Sequence, residues 1–344
     1  MTEMEPPNKK TKIHVESQEL RIANRTPGVE HLILGCSGFG CLYKEVEEEQ
    51  CKATIDKALE LGVKYLDTAP WYGAGLSESR MGNILEARWS GLSLSTKCGR
   101  IIKPRDRVTE ADHEEQGYLA PAGQFFTSKF HNNVPCWDYS ADGIKESVRQ
   151  SLERLKVDCL QDLRLHDAES EVHDERYVQA TEGGGVDAMI ALKKEGKTKQ
   201  ISLGMNDHEV ILRFLRKYPS TFDTVMLAGC FNLIDNDAVD LLLECQKQGV
   251  RVANVGIFAS GVLWGGDHYK YGDIPEEVKV KVSKWKALAE KHGFSLPQVA
   301  FNFAFLPEVV DCVAFGACRP EEVEGNVALA GKPVPVQLWR DAKE

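Results

Sequence analysis

The stretch Lys64-Tyr65-Leu66-Asp67-Thr68-Ala69-Pro70-Trp71-Tyr72-Gly73 reads as a short strand, Lys64–Asp67, that runs into a polar turn punctuated by proline and glycine. A helical pattern follows, with Met81, Ile84 and Leu85 on one face. The same unit precedes it: a strand at His31–Leu34, then a helix carrying Ile55, Ala58 and Leu59, closed by Gly62 where a left-handed cap is wanted. It also recurs downstream. Strands are expected at Leu92–Lys97, Cys159–His166, Thr198–Gly204, Asp223–Leu227, Val250–Val255 and Val309–Phe315, which makes eight in all. Between them, Ile144, Val148, Leu152 and Leu155 follow helical spacing, as do Val210, Ile211, Phe214 and Leu215, and later Val278, Val282 and Trp285.

Eight strand-then-helix units leave two architectures, a (β/α)8 TIM barrel and an open, doubly wound sheet. The count favours the barrel, and no strand-to-helix turn carries the G-x-G-x-x-G dinucleotide fingerprint. The expected fold is therefore α/β, one barrel domain over residues 29–331. A loose tail covers 1–28, with a short strand at Leu20–Ile22, and a second tail covers 332–344. Two units are long, around 101–139 and 257–276, and an added helix is expected near Pro297–Phe305. In a barrel the strand-to-helix loops rise from the face that carries active sites, so long third and seventh loops would roof a pocket.

The 344 residues are 42% apolar, enough for a large core, and the net charge of −10 makes a nucleic acid or an anionic membrane surface a poor partner. The ten cysteines include no C-x-x-C pair, and no Cys/His cluster has zinc-finger spacing, so no metal site is expected. No signal peptide or membrane span is expected, and the default location is the cytoplasm. Gly196-Lys197-Thr198 resembles the end of a phosphate loop, but it leads into a strand rather than out of one.

The chemistry gathers at strand ends. Asp67, Lys97 and His166 close the second, third and fourth strands, and Tyr72 follows Asp67 by five residues. A tyrosine is too weak an acid to shuttle protons at neutral pH, but a lysine in contact stabilises its phenolate, and a buried lysine needs an acidic partner. A neutral histidine orients a substrate oxygen. Such a set suits interconversion of a carbonyl and an alcohol, with a separate hydride carrier.

From about residue 29 to 331 the chain resembles the aldo-keto reductases, NAD(P)-dependent oxidoreductases built on a (β/α)8 barrel. Asp67–Gly73 is similar to their D-T-A-P-x-Y-G motif, and the runs Ser95-Thr96-Lys97 and Leu165-His166-Asp167 match two others. The resemblance implies a catalytic set of Asp67, Tyr72, Lys97 and His166. Trp137-Asp138-Tyr139-Ser140, Leu203-Gly204-Met205-Asn206-Asp207 and Ala259-Ser260-Gly261-Val262-Leu263 are similar to the branch of D-threo-aldose 1-dehydrogenases (L-fucose dehydrogenases) and L-galactose dehydrogenases, which oxidise the anomeric carbon of a sugar to a lactone. A sugar or aldehyde substrate is thus implied. General aldehyde reduction, pyridoxal 4-dehydrogenase-like chemistry and a non-enzymatic NAD(P)-binding regulatory subunit are the competing expectations.

The resemblance also implies cofactor contacts. Asn206 falls at the nicotinamide amide, Ser260, Gly261 and Leu263 at the pyrophosphate loop, and Gly316, Ala317, Glu322 and Asn326 at the adenosine end. That end carries Glu321, Glu322 and Glu324, with Arg319 as its one cation. A carboxylate repels a 2′-phosphate and accepts a ribose hydroxyl, so NAD is expected over NADP. Trp71 is the expected substrate contact; Phe125, Phe126, Trp137 and Trp264 are further loop aromatics.

Overall fold

The structure is a computed structural model that describes residues 11–15, 18–86, 88–115, 126, 132–169, 174–270 and 272–343. Eight parallel strands close a barrel in sequence order: β1 Leu32–Gly35, β2 Tyr65–Asp67, β3 Ser93–Cys98, β4 Leu160–His166, β5 Thr198–Met205, β6 Thr224–Ala228, β7 Arg251–Val255 and β8 Val310–Gly316. The closed ring decides between the two expected architectures in favour of the (β/α)8 barrel. The helices are α1 Glu48–Glu60, α2 Leu76–Leu85, α3 Ala141–Leu155, α4 Glu175–Thr181, α5 Gly185–Lys194, α6 His208–Lys217, α7 Val239–Gln248, α8 Glu276–Lys291, α9 Leu296–Phe303, α10 Pro320–Val327 and α11 Val336–Asp341.

Helix α3 shows how sequence becomes packing. Ser140 caps its start by accepting from the Gly143 N–H at 3.2 Å. Ile144, Val148 and Leu155 are buried on one face, while Leu152 is only partly buried at its edge. Each such aliphatic side chain contributes about 1.5–3 kcal/mol when fully buried.

Register places the polar strand ends together. Asp67 pairs with Ser95, Lys97 with Arg164, and His166 with Gly204. Side chains alternate in and out along a strand, so Asp67, Ser95, Lys97, Asp162, Arg164 and His166 share the barrel interior. Ile33, Met226, Ala253 and Ala314 form an apolar cluster on the other side of that interior.

The described residues before 29 hold more order than the loose tail expected, and the short strand expected at Leu20–Ile22 is present within Gln18–Ile22. Thr11–Val15 and Gln18–Ile22 pair as an antiparallel hairpin. Leu20 is fully buried in the main core. Ala23 donates to the Leu306 carbonyl at 3.0 Å, and Glu308 donates to the Arg21 carbonyl at 2.9 Å, so the hairpin lies against the chain just before β8, at the end opposite the site. Two buried apolar side chains, Leu20 and Ile22, together with backbone bonds to Leu306 and Glu308, order this strand. At the other terminus, Leu338 of α11 is buried against the cluster that contains Val299 and Leu296, and the Trp339 indole donates to Asn24 at 3.0 Å.

The third loop carries an antiparallel pair, Arg100–Pro104 with Asn133–Trp137. The seventh begins with a 3-10 turn at Ala259–Trp264 before α8. The added helix expected near Pro297–Phe305 is α9.

Candidate active site

Lys97 is the centre of the cluster. Its ammonium donates to Asp67 at 2.6 Å, to the Thr68 carbonyl at 2.9 Å and to the Tyr72 hydroxyl at 3.1 Å. It is 2% exposed. Asp67 also accepts from Ser95 at 2.6 Å, the residue its strand register sets beside it, and lies 3.4 Å from Arg164. The His166 ring stands across from the Tyr72 ring, centroids 6.1 Å apart and nearly perpendicular. The four expected residues thus face one cavity of about 290 Å³.

The loops hold Tyr72 in place. Tyr72 lies in the turn after β2, and Gly40 of the first loop packs directly on its backbone: a Cβ on Gly40 would lie 2.4 Å from the Tyr72 carbonyl carbon. Behind the turn, Ser77 shares a hydrogen bond with Thr68 at 2.8 Å and donates to the Cys36 carbonyl at 2.8 Å.

The electrostatics correct one expectation. Lys97 does stabilise the Tyr72 phenolate, yet burial raises the phenol above its ordinary value and outweighs the lysine. Tyr72 is therefore a neutral phenol around pH 7. Burial works against the charge on Lys97, but Asp67 and Tyr72 outweigh it and hold the ammonium above its ordinary value. His166 is pushed well below its usual range, by burial and then by Arg100, Lys97 and Arg176, so it is a neutral imidazole. Its Nε2 lies 3.3 Å from Asp167, and its Nδ1 is buried without a hydrogen-bond partner among the described residues.

A network that the sequence reading missed backs His166. Arg100, 3% exposed, donates to Glu115 at 2.9 Å and to Asp167 at 3.1 Å, and Glu115 accepts from Arg176 at 2.8 Å. Arg100 and Arg176 lie on or after loops three and four, where no periodicity marks them. Arg164 was also missed. It donates to Ser202 at 2.8 Å and Tyr65 at 3.0 Å, and pairs with Asp162 at 2.9 Å. A signal for it existed: it shares inward parity with His166 on β4.

Three cavities join along the face. The catalytic one shares Leu42, Asn206 and Ala228 with a neighbour of about 800 Å³, which shares Gly256 and Ser260 with a groove of about 610 Å³ reaching Asn326. Ser260, Gly261, Gly316, Glu322 and Asn326 line that groove, as does Trp264. Leu263 and Ala317 do not: Leu263 is fully buried in the second apolar cluster and Ala317 in the main core. Trp71 and Phe126 line the catalytic cavity, their rings edge-to-face at 5.1 Å. Trp137 instead stacks on His113 at 4.1 Å. Phe125 lies outside the described residues.

This track fits a dinucleotide. Asn326 leaves its side-chain oxygen buried and unpartnered in the groove, and a Cβ on Gly261 or Gly316 would project into open space. Asn326, Gly261 and Ser260 would hold such a group, with Asn206 beside the catalytic cavity.

The Aldo/keto reductase family profile matches residues 31–340. The chain belongs to this family. This aldo/keto reductase is 29% identical over 322 residues to a D-threo-aldose 1-dehydrogenase from Pseudomonas sp, covering 90% of this chain and 92% of that one. It is 28% identical over 343 residues to a pyridoxal 4-dehydrogenase from Microbacterium luteolum, covering 95% and 97%, and 27% identical over 315 residues to an L-galactose dehydrogenase from Arabidopsis thaliana, covering 90% and 87%. An aldo-keto reductase from Bacillus halodurans, in its holo form, superposes with a TM-score of 0.69 at 22% identity over 97% of this chain and 96% of that one. The protein is thus an NAD(P)-dependent oxidoreductase acting on a small molecule. Among the described residues, no helix is long and apolar enough to cross a membrane.

Proposed function

We propose that this aldo/keto reductase oxidises the anomeric C1 of an aldose of the L-galactose, L-fucose or D-arabinose type to a lactone, with Tyr72 as the general acid/base and NAD as the preferred carrier. The observation that carries the reading is Lys97 held between Asp67 and the Tyr72 hydroxyl inside a cavity shared with His166. A bound nicotinamide supplies the hydride acceptor. Tyr72 takes the C1 hydroxyl proton as the C1–H bonding pair leaves, and C1 becomes the lactone carbonyl. Lys97 stabilises the phenolate that must form first. His166, neutral, aligns the reacting oxygen.

Because burial keeps Tyr72 protonated, oxidation should speed up as pH rises toward the alkaline range and reduction should slow. The same neutral phenol is the acid needed to protonate a carbonyl oxygen, which supports aldehyde reduction, including pyridoxal-type substrates, as the second reading. The NAD preference is supported by Arg319, whose guanidinium is already engaged by Glu322 at 2.6 Å and 2.9 Å. A 2′-phosphate would have to displace that carboxylate.

The test follows nicotinamide absorbance with NAD⁺ or NADP⁺ and L-galactose, L-fucose, D-arabinose, pyridoxal or simple aldehydes. Sugar-dependent NAD⁺ reduction supports the reading, and turnover of aldehydes alone supports the second. A kcat/KM favouring NADP⁺ overturns the carrier preference. Tyr72→Phe should abolish turnover while retaining cofactor binding by fluorescence titration; near-normal activity sinks the assignment.

A further inference from the structure

Asp167 is the first residue beyond β4 and adopts a left-handed backbone, φ 44°, that non-glycine residues seldom take. Strain of this kind persists where the surroundings over-determine it, often at ligand sites. Here it sets the carboxylate on the wall of the catalytic cavity. One oxygen is occupied: Oδ2 accepts from Arg100 at 3.1 Å and lies 3.3 Å from His166. The other, Oδ1, has no hydrogen bond among the described residues. Arg100 cannot swing away, because Glu115 holds its Nε at 2.9 Å and its guanidinium carbon lies 5.3 Å from the Trp71 ring. The cavity therefore offers one fixed, open acceptor next to His166, with the apolar faces of Trp71 and Phe126 beside it.

We propose that Asp167 determines specificity: its free oxygen accepts a hydrogen bond from a hydroxyl on the carbon next to the reacting one. The site then selects uncharged α-hydroxy aldehydes and the sugars built from them, and disfavours substrates that carry a carboxylate. The inference rests on the reading that Tyr72 and His166 face the reacting oxygen. The 3.3 Å contact between His166 Nε2 and Asp167 Oδ2 puts the carboxylate beside the group that faces the reacting oxygen, within reach of a hydroxyl one carbon away. An aromatic wall beside the Asp167 carboxylate, with Asp67 already engaged by Lys97 and Ser95, is a fitting surface for a ring that is apolar on one face and hydroxylated at its edge.

The experiment compares matched pairs in the reductive direction. Glyceraldehyde and propanal differ by hydroxyls on a three-carbon chain; succinic semialdehyde and butanal differ by a carboxylate. In Asp167→Asn the glyceraldehyde/propanal ratio of kcat/KM should fall about tenfold, in the range of one charge-assisted hydrogen bond. The succinic semialdehyde/butanal ratio should rise about tenfold, because the repelling charge is gone. Asp167→Glu, which keeps the charge and moves the acceptor, should lower the first ratio and leave the second near wild type. Equal loss on all four substrates would mean that Asp167 acts only through His166, and unchanged ratios would mean that it recognises nothing; either overturns the inference. A wild-type protein that turns over none of the four fails only the second reading, aldehyde reduction; the comparison is then made in the oxidative direction between an aldose and its 2-deoxy counterpart, where an unchanged kcat/KM ratio in Asp167→Asn overturns the inference.

Discussion

Gly40→Ala tests how strictly the first loop positions Tyr72, the proposed general acid/base. The added methyl would sit 2.4 Å from the Tyr72 carbonyl carbon, 2.6 Å from its oxygen and 2.6 Å from the Gly73 nitrogen. Ordinary contact begins near 3.4 Å, so the two backbones must part by about 1 Å. The first loop has little room to yield, because Arg80 donates to the Phe39 carbonyl at 2.6 Å and Ser77 to the Cys36 carbonyl at 2.8 Å. The displacement falls on Tyr72, and its 3.1 Å bond to Lys97 stretches to about 4 Å, beyond hydrogen-bond range. A misplacement of about 1 Å at a reacting group costs roughly 100-fold in rate, or about 2.7 kcal/mol in the barrier. Steady-state kcat at saturating carrier and substrate reads this directly, with a thermal melt in parallel. Overpacking of this kind also costs about 1–3 kcal/mol of stability, so Tm should fall by a few degrees. A kcat within threefold of wild type would refute the claim that this close approach sets the position of Tyr72.

Two further outcomes follow from buried charge. Arg164→Leu leaves Asp162 buried without its cation; breaking such a pair costs about 3–5 kcal/mol, read as a lower denaturant midpoint, and a loss below about 1 kcal/mol would show that the barrel interior relaxes around the carboxylate. Glu169 accepts from the Asn206 and Asp207 N–H groups at 3.1 Å each, and burial, followed by Asp167, raises its carboxyl to about 7. The folded state then binds a proton between the unfolded carboxyl range and pH 7 that the unfolded chain does not, so the side chain costs stability increasingly as pH rises through that window. The Tm of Glu169→Gln relative to wild type should therefore improve from pH 5 to pH 8; a difference that does not change with pH contradicts the assignment.

Much of the scaffold was legible because strand and helix periods are local. The strand ends carrying Asp67, Lys97 and His166 were visible for the same reason, since a strand fixes both the height and the facing of its last residue. The charges behind them were harder. Arg164 announced itself only through parity with His166, a rule that asks which face a residue takes rather than what element it belongs to. Arg100 meets Glu115 across 15 residues of chain and Glu115 meets Arg176 across 61, and no spacing rule links an arginine at a loop entrance to a glutamate within that loop. Of the hairpin only the strand at Leu20–Ile22 was legible; its partner Thr11–Val15 is mostly polar and does not stand out from the polar residues around it. Leu263 and Ala317 show a different limit, since their side chains turn into the core and leave only backbone for a ligand to touch. They lie in segments that line the groove, but a stretch that touches a ligand on one side must bury its alternate residues on the other.

The interior charges also fix the direction in which Tyr72 gives its proton. A lysine ammonium has three hydrogens to donate and no lone pair to receive one. All three are assigned: to Asp67, to the Thr68 carbonyl and to the Tyr72 hydroxyl. Tyr72 can therefore only accept from Lys97, and its own hydrogen must point elsewhere, toward the cavity it shares with His166, where the proposed mechanism puts the substrate oxygen. Asp67 keeps Lys97 from turning, and Ser95 and Arg164 keep Asp67 from turning in its place. The proton path is thus set by a chain of donors that ends at one acceptor. It does not require Lys97 to make the phenol a strong acid, which burial prevents in any case. In the proposed oxidation the phenol loses this hydrogen first, and the 3.1 Å contact with Lys97 stabilises the phenolate left behind.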